Sequence, residues 1–274
     1  MPLVYAGITS HAPGITGRAH MVENTQLRDA LYAALERQRG EIEASGASVL
    51  VVVAAEHFAN FFMNNMPAFC MGLGEVHEGP IEDPEWLKIP KTRIPGAPDL
   101  ATRLAKDIMQ DVDLAYAEEW KCDHGIMVPL HFLTPNFDLP VIPVNINCQG
   151  PPLTPLNRAW AFGEALRRAC DDQPEAIAVI GTGGISHWPA TPDSGKINEV
   201  WDREFLDRLM AQDKPALLSY TDESTYEQAG QGGFEIRTLI AAGAAARGQG
   251  DLQFYTADIP LFAVGCTVAR FSLN

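Results

Sequence analysis

Two histidines each follow an apolar run of the kind that forms a buried strand. His11 comes after Leu3-Val4-Tyr5-Ala6-Gly7-Ile8-Thr9-Ser10, and His57 after Val49-Leu50-Val51-Val52-Val53-Ala54-Ala55-Glu56. A third, His187, follows Ile177-Ala178-Val179-Ile180-Gly181 and the turn Thr182-Gly183-Gly184-Ile185-Ser186. In open α/β sheets, ligands collect at the carboxyl ends of strands. Three imidazoles delivered to such ends point to one shared site. Imidazole is the commonest metal ligand and a proton carrier near neutral pH.

Glu235, in Gly232-Gly233-Phe234-Glu235-Ile236-Arg237, adds a carboxylate where a helical run begins. A glutamate in a first helical turn can simply complement the helix dipole. Phe234 and Ile236 beside it predict burial, however, and a buried carboxylate needs a counter-charge that a metal would supply. Two histidines and one carboxylate with open positions form the facial triad of non-haem Fe(II) oxygenases. Zinc hydrolases draw on the same ligand types. The long spacing between His11, His57 and Glu235 leaves that choice open. His124, in Cys122-Asp123-His124-Gly125, is a further candidate for proton transfer. Asp123 could orient that ring or a neighbouring group, and Gly125 permits close backbone approach. His20, His77 and His131 read as structural or surface residues. The turn Gly181-Thr182-Gly183-Gly184 is not a phosphate loop, since the nearest lysine is Lys196.

The elements that must position these groups alternate between strand and helix. Residues 3–9 and 49–55 read as strands, the second apolar throughout and therefore buried on both faces. Residues 25–44 carry Leu27, Leu31, Leu35 and Ile42 near helical spacing, with Gly46 as the stop. Residues 64–98 crowd Pro, Gly and acidic side chains, and read as a long irregular insertion forming a wall or lid. Helices are expected at 98–110, with Asp99 in the first turn, at 155–171, at 197–212, and at 234–246, an alanine-rich stretch. Strands are expected at 139–147, 176–181, 252–257 and 262–272. Pro140 and Pro143 place the first of these near a strand start or on a sheet edge. The pattern predicts one α/β domain over residues 1–274, a three-layer sandwich around a mixed, largely parallel sheet.

Composition narrows the function classes. The chain has 274 residues, 46% of them hydrophobic, enough for a substantial core. Its formal charge of −15 argues against nucleic acid and anionic membrane as partners. An anionic substrate would need a metal ion or a few placed arginines to offset that field. Lys91, Arg93, Lys121 and Arg237 are the candidate partners for a substrate carboxylate. Phe58, Phe61, Phe62, Trp86 and Trp188 are candidates for an aromatic pocket. Five cysteines without a CxxC pair read as free thiols in a reducing compartment. No secretory signal or membrane-length apolar run is visible. The expectation is a soluble, cytoplasmic protein.

Five segments together resemble the class III extradiol ring-cleavage dioxygenases, the superfamily of the protocatechuate 4,5-dioxygenase β subunit. They are Ser10-His11-Ala12-Pro13-Gly14, Glu56-His57-Phe58, Asp123-His124-Gly125, Gly183-Gly184-Ile185-Ser186-His187-Trp188-Pro189 and Gly233-Phe234-Glu235-Ile236-Arg237. The resemblance spans nearly the whole chain in the family's order. It implies that His11, His57 and Glu235 bind Fe(II), that His187 is the acid/base, and that His124 assists near substrate and O2. The implied reaction is ring opening of a catechol-type aromatic beside its diol. The C-terminal extension of gallate dioxygenases is missing, so the resemblance further implies a homo-oligomer or a small accessory subunit that closes the site. The rival expectations are a zinc-dependent hydrolase on the same ligands and a non-catalytic member of the fold.

Overall fold

Strand β2 (Val49–Ala55) shows how the chain makes its layers, because successive side chains point to opposite faces. Val49, Val51, Val53 and Ala55 join one apolar cluster, and Leu50, Val52 and Ala54 join another. Both faces are buried, so both must be covered. In this computed structural model, which describes residues 2–274, helices do so on each side.

The elements run in chain order as β1 (Leu3–Thr9), α1 (Gly14–Gly17), α2 (Thr25–Ala44), β2, β3 (Phe69–Gly72), β4 (Val76–Gly79), α3 (Pro84–Leu87), β5 (Thr92–Pro95), α4 (Pro98–Ile108), β6 (Ala115–Ala117), α5 (His124–Leu133), β7 (Val141–Ile146), α6 (Leu156–Asp171), β8 (Ile177–Thr182), α7 (Glu199–Met210), α8 (Lys214–Leu217), α9 (Asp222–Ala229), α10 (Ile236–Ala246), β9 (Arg247–Thr256) and β10 (Cys266–Leu273). Eight strands form one sheet in the order β6-β3-β7-β2-β8-β1-β10-β9. Its centre, β7-β2-β8-β1, is parallel, whereas β3 meets β7, and β10 meets β1 and β9, in antiparallel register. Helices α4, α6, α7 and α10 cover the face that Val51 joins, and α2 and α5 cover the face of Val52. This is the three-layer α/β sandwich with a mixed sheet that the alternation predicts.

Register brings the site-bearing ends level. Thr9 lies opposite Thr182, and Ala55 opposite Ile146. His11 and His57 each stand two residues beyond their strand, at the same edge of the parallel core. Local signals hold the flanking helices. Asn24 caps α2 by accepting from the Leu27 amide at 3.1 Å, and Gly46 ends the segment with φ +73°. Gly163 lets α6 pack on α10, since a Cβ there would stand 2.2 Å from the Ala241 carbonyl oxygen.

Two expectations need correction. Pro143 is neither at a strand start nor on an edge. It sits inside β7, between β2 and β3, opposite Val52. Its ring is accommodated because the facing residue on the β3 side is Gly72, where a Cβ would stand 2.6 Å from the proline Cγ. The 64–98 segment is also less irregular than its composition suggests. It supplies β3 to the main sheet, pairs β4 with β5 in a small ribbon, and carries α3. Elsewhere α1, β6, α5, α8 and α9 are additional to the expected elements, with α5 opening at His124, and the boundaries of the others shift. The Glu235 segment, for example, begins as a 3-10 turn over Gly232–Glu235 before α10. All five cysteines are buried and unpaired. Burial raises each thiol, Cys70 to about 12. No helix among the described residues is long and apolar enough to cross a membrane.

Candidate metal centre

The side chains of His11, His57, His124, His187 and Glu235 converge on one cavity of about 390 Å³ at the carboxyl edge of the sheet. Its floor is deeply buried, with His11 3% and Glu235 2% exposed. Glu235 Oε2 lies 3.1 Å from His11 Nε2, and Oε1 lies 3.3 Å from His57 Nε2 and 3.6 Å from His187 Nε2. Two ligand atoms each about 2.1 Å from a common ion and at right angles to it are about 3.0 Å apart. The His11, His57 and Glu235 spacings therefore fit a chelating set. A second set overlaps it: one ring nitrogen from each of His11, His57 and His124 lies within 4.8 Å of the others.

The partners of the other ring nitrogens decide which atoms face the cavity. Thr182 Oγ1 spends its proton on the Gly125 carbonyl at 2.7 Å, so it can only accept from His11 Nδ1 at 3.1 Å. Asp123 accepts from His57 Nδ1 at 3.0 Å, and Glu82 accepts from both the backbone N–H and Nδ1 of His124. The Ile185 carbonyl accepts from His187 Nδ1 at 3.2 Å. All four rings thus carry a proton on Nδ1 and present Nε2 to the cavity, the arrangement in which an outer acceptor fixes ring orientation and raises ligand basicity.

Electrostatics reinforce this. Burial pulls His11 down, with Glu235 opposing. Burial alone would raise Glu235, but His11 and His187 hold it well below the carboxylate range. Burial lowers His57 as well, yet Asp123 and Glu235 outweigh it and leave the ring well above its usual value. Burial pushes Asp123 up, and His57 more than reverses this, holding it at about 2. The carboxylate and the imidazoles around it would form a donor set for a cation that displaces the Nε2 protons. Asp123→Asn is expected to weaken metal affinity by roughly 10–100-fold, the usual cost of losing an outer partner. Competitive titration against a chelator measures it, and unchanged affinity would show that Asp123 is a helix cap alone.

Local backbone devices hold each group. Glu56 accepts from the amides of Ala59, Asn60 and Phe61, which tightens the turn after His57 and leaves Phe58 at φ +59°. Gly184 N–H donates to Glu235 Oε2 at 2.6 Å. The His187 ring lies between two bare backbone positions: a Cβ at Gly184 or at Gly232 would stand 2.3 Å from a ring atom. Behind it, buried Asp202 accepts from the Ser186 amide at 2.8 Å and from the Tyr255 hydroxyl at 2.7 Å.

Burial raises the Asp202 carboxyl from 3.8 to about 6, against the hydrogen bonds from Ser186 and Tyr255. The folded chain therefore binds this proton more tightly than the unfolded chain does. The Asp202 contribution to stability is greatest below about pH 4 and is lost as pH rises to about 6, a difference of roughly 3 kcal/mol. Denaturant unfolding of the wild type and Asp202→Asn should converge at low pH, with the variant gaining relative stability across that window. A difference independent of pH would overturn the assignment.

Several expected roles are redistributed. Asp123 orients His57 rather than the adjacent His124. Among the expected aromatic residues, Phe58 and Trp86 line the cavity. Phe61 packs edge-on against Trp120, Phe62 is exposed, and Trp188 is buried beneath the Lys196 ammonium. None of the expected carboxylate partners lines the cavity. Arg93 is exposed and pairs with Glu78 at 3.5 Å, and Lys91 and Lys121 are exposed elsewhere. Arg237 is buried, donating to the Thr154 and Phe234 carbonyls and to Asp222. His77 is structural as expected, its Nε2 on the Val141 carbonyl. Arg18, Glu82 and Thr182 were not visible as site residues, since nothing in their sequence neighbourhoods marks them.

Residues 5–266 match the family model of the catalytic LigB subunit of aromatic ring-opening dioxygenase. The chain belongs to this family. Relatives include the 2,3-dihydroxyphenylpropionate/2,3-dihydroxicinnamic acid 1,2-dioxygenase of Cupriavidus necator, 30% identical over 83% of this chain and 86% of that one. The enzyme of that name from Paraburkholderia xenovorans is 31% identical over 77% and 79%. The crystal structure of an uncharacterized protein from Escherichia coli K12 covers 86% of this chain and 92% of its own at TM-score 0.56 and 15% identity, a likeness of fold. Family membership accords with a donor set open to the cavity.

Proposed function

We propose that the chain opens the ring of a catechol-type aromatic with O2, cutting beside the diol, at a mononuclear Fe(II) held by His11, His57 and Glu235. The observation that carries this is the convergence of two Nε2 atoms, each on a ring anchored through Nδ1, on one buried carboxylate. Glu235 is preferred to His124 as third ligand because its anion, 2% exposed, needs a compensating cation, whereas His124 already has a carboxylate partner in Glu82. When bound, Fe(II) acidifies the diol and provides the electronic link between the electron-rich ring and O2.

The chain's own groups supply the proton traffic. His187 presents Nε2 to the cavity and accepts a phenolic proton there, while its Nδ1–H stays on the Ile185 carbonyl. The diol thereby becomes a stronger electron donor. Glu235, 3.6 Å from that Nε2, stabilises the imidazolium that results. His187 then returns the proton from the same atom as the O–O bond breaks. His124 Nε2 faces the same space and serves as the second proton-handling group. Phe58 and Trp86 bound the cavity and limit water around the ring.

Anaerobic reconstitution with Fe(II), followed by oxygen-electrode assays over a panel of catechols, tests the reading. One O2 consumed per yellow ring-opened product is expected. Hydrolysis by the zinc-loaded chain without O2 uptake would overturn it.

A further inference from the structure

Resting on the dioxygenase reading, the geometry points to an anionic substrate: we propose that Arg18 binds the carboxylate of a side chain carried by the catechol ring. Arg18 follows α1 and is exposed at the cavity's open side. Among the described residues lining the cavity it is the one guanidinium or ammonium group, and Glu235 is the one carboxylate. Its charge is also unspent. Arg28, Arg93, Arg167 and Arg237 all pair with carboxylates, whereas Arg18 has no such partner among the described residues.

The vertical order of the cavity matches such a molecule. His11 and Glu235 of the metal-binding set lie at the floor, 2–3% exposed, and Arg18 and Trp86 lie at the mouth. Gly17 makes them neighbours, because a Cβ there would stand 2.5 Å from the Trp86 carbonyl oxygen. A diol held at the floor leaves a ring substituent pointing outward, past an aromatic face and toward a free fork of N–H donors. That fork matches a carboxylate in two-point geometry. A phosphate would call for more than one cation, and the remaining polar lining groups near the mouth, Gln149, Ser194 and Gln231, are uncharged. The formal charge of −15 repels anions at long range. One unpaired guanidinium at the entrance locally reverses that field.

The test compares 3-(2,3-dihydroxyphenyl)propionate with 3-propylcatechol on the Fe(II)-reconstituted wild type, Arg18→Ala and Arg18→Lys. In Arg18→Ala the ratio of kcat/KM for the acid over the neutral compound should fall about tenfold or more, through KM, with partial recovery in Arg18→Lys. The wild-type preference should also shrink with rising salt. A second readout avoids turnover. Anaerobic equilibrium titration with the uncleavable 3-(2-hydroxyphenyl)propionate should show weaker binding in Arg18→Ala, and 2-propylphenol should not discriminate between the proteins. An unchanged acid-to-neutral ratio and unchanged titration would overturn the role of Arg18. No O2 uptake with either catechol would instead overturn the dioxygenase reading, and the titration would still decide whether Arg18 binds the carboxylate.

Discussion

Glu235→Ala is expected to yield a folded chain that no longer retains Fe(II) through gel filtration, while His124→Ala retains it. Among the described residues Glu235 is the only carboxylate lining the cavity, and both of its oxygens face imidazole nitrogens, at 3.1 and 3.3 Å. Removing it deletes a ligand and the charge that favours a dication over neutral imidazoles. The loss should exceed the roughly 10–100-fold that follows removal of an outer partner. Glu235→Gln keeps the volume and an acceptor for the Gly184 N–H, and so separates charge from shape. Iron per chain after anaerobic reconstitution, with circular dichroism as the folding check, gives the answer. If Glu235→Ala keeps its iron and His124→Ala loses it, the ion is held by the three histidines instead.

His187→Ala should keep iron and lose turnover by roughly 10²–10⁴-fold, the range for a positioned acid/base. Gly232→Ala offers the same loss without touching the imidazole. The added Cβ would stand 2.3 Å from His187 ring atoms, so the ring must swing away. That variant should lose at least tenfold in kcat with normal iron content, because misplacing a reacting group by about 1 Å costs on that order or more. Near wild-type ring cleavage by His187→Ala would make the ring a structural filler of the turn.

The site-bearing strands were legible because burial on both faces leaves an unbroken apolar run, as in β2 and β8. A histidine just beyond such a run has a defined address, the carboxyl edge of the sheet. Glu235 was legible through its apolar flanks. The supporting shell was not. Thr182 and Glu82 act on rings 171 and 42 residues away, and no local pattern encodes a contact at that range. Asp123 was visible as an orienting group, but its sequence position leaves open whether it serves the adjacent ring or another. As the cap of α5 it accepts from the Gly125 amide at 2.9 Å, and its other oxygen is free to reach His57. Pro143 was misjudged because the missing side chain that makes room for it belongs to Gly72 on a neighbouring strand. Charge type, likewise, could not separate Arg93 from Arg18. Only the fold decides which guanidinium meets the cavity and which meets a surface glutamate.

The buried thiols set how this chain ages in air. Sulfur chemistry with peroxide or O2-derived oxidants proceeds through the thiolate and needs access. Here every cysteine is buried and held toward the protonated form. The exposed sulfur belongs to thioethers, with Met21 at 55%, Met63 at 62% and Met109 at 43%. Methionine sulfoxide is therefore the first lesion on the folded chain, and cross-linking through disulfides waits for unfolding. A thiol reductant added to stored protein acts on the surrounding solution, and leaves the protein's own sulfur essentially as it finds it.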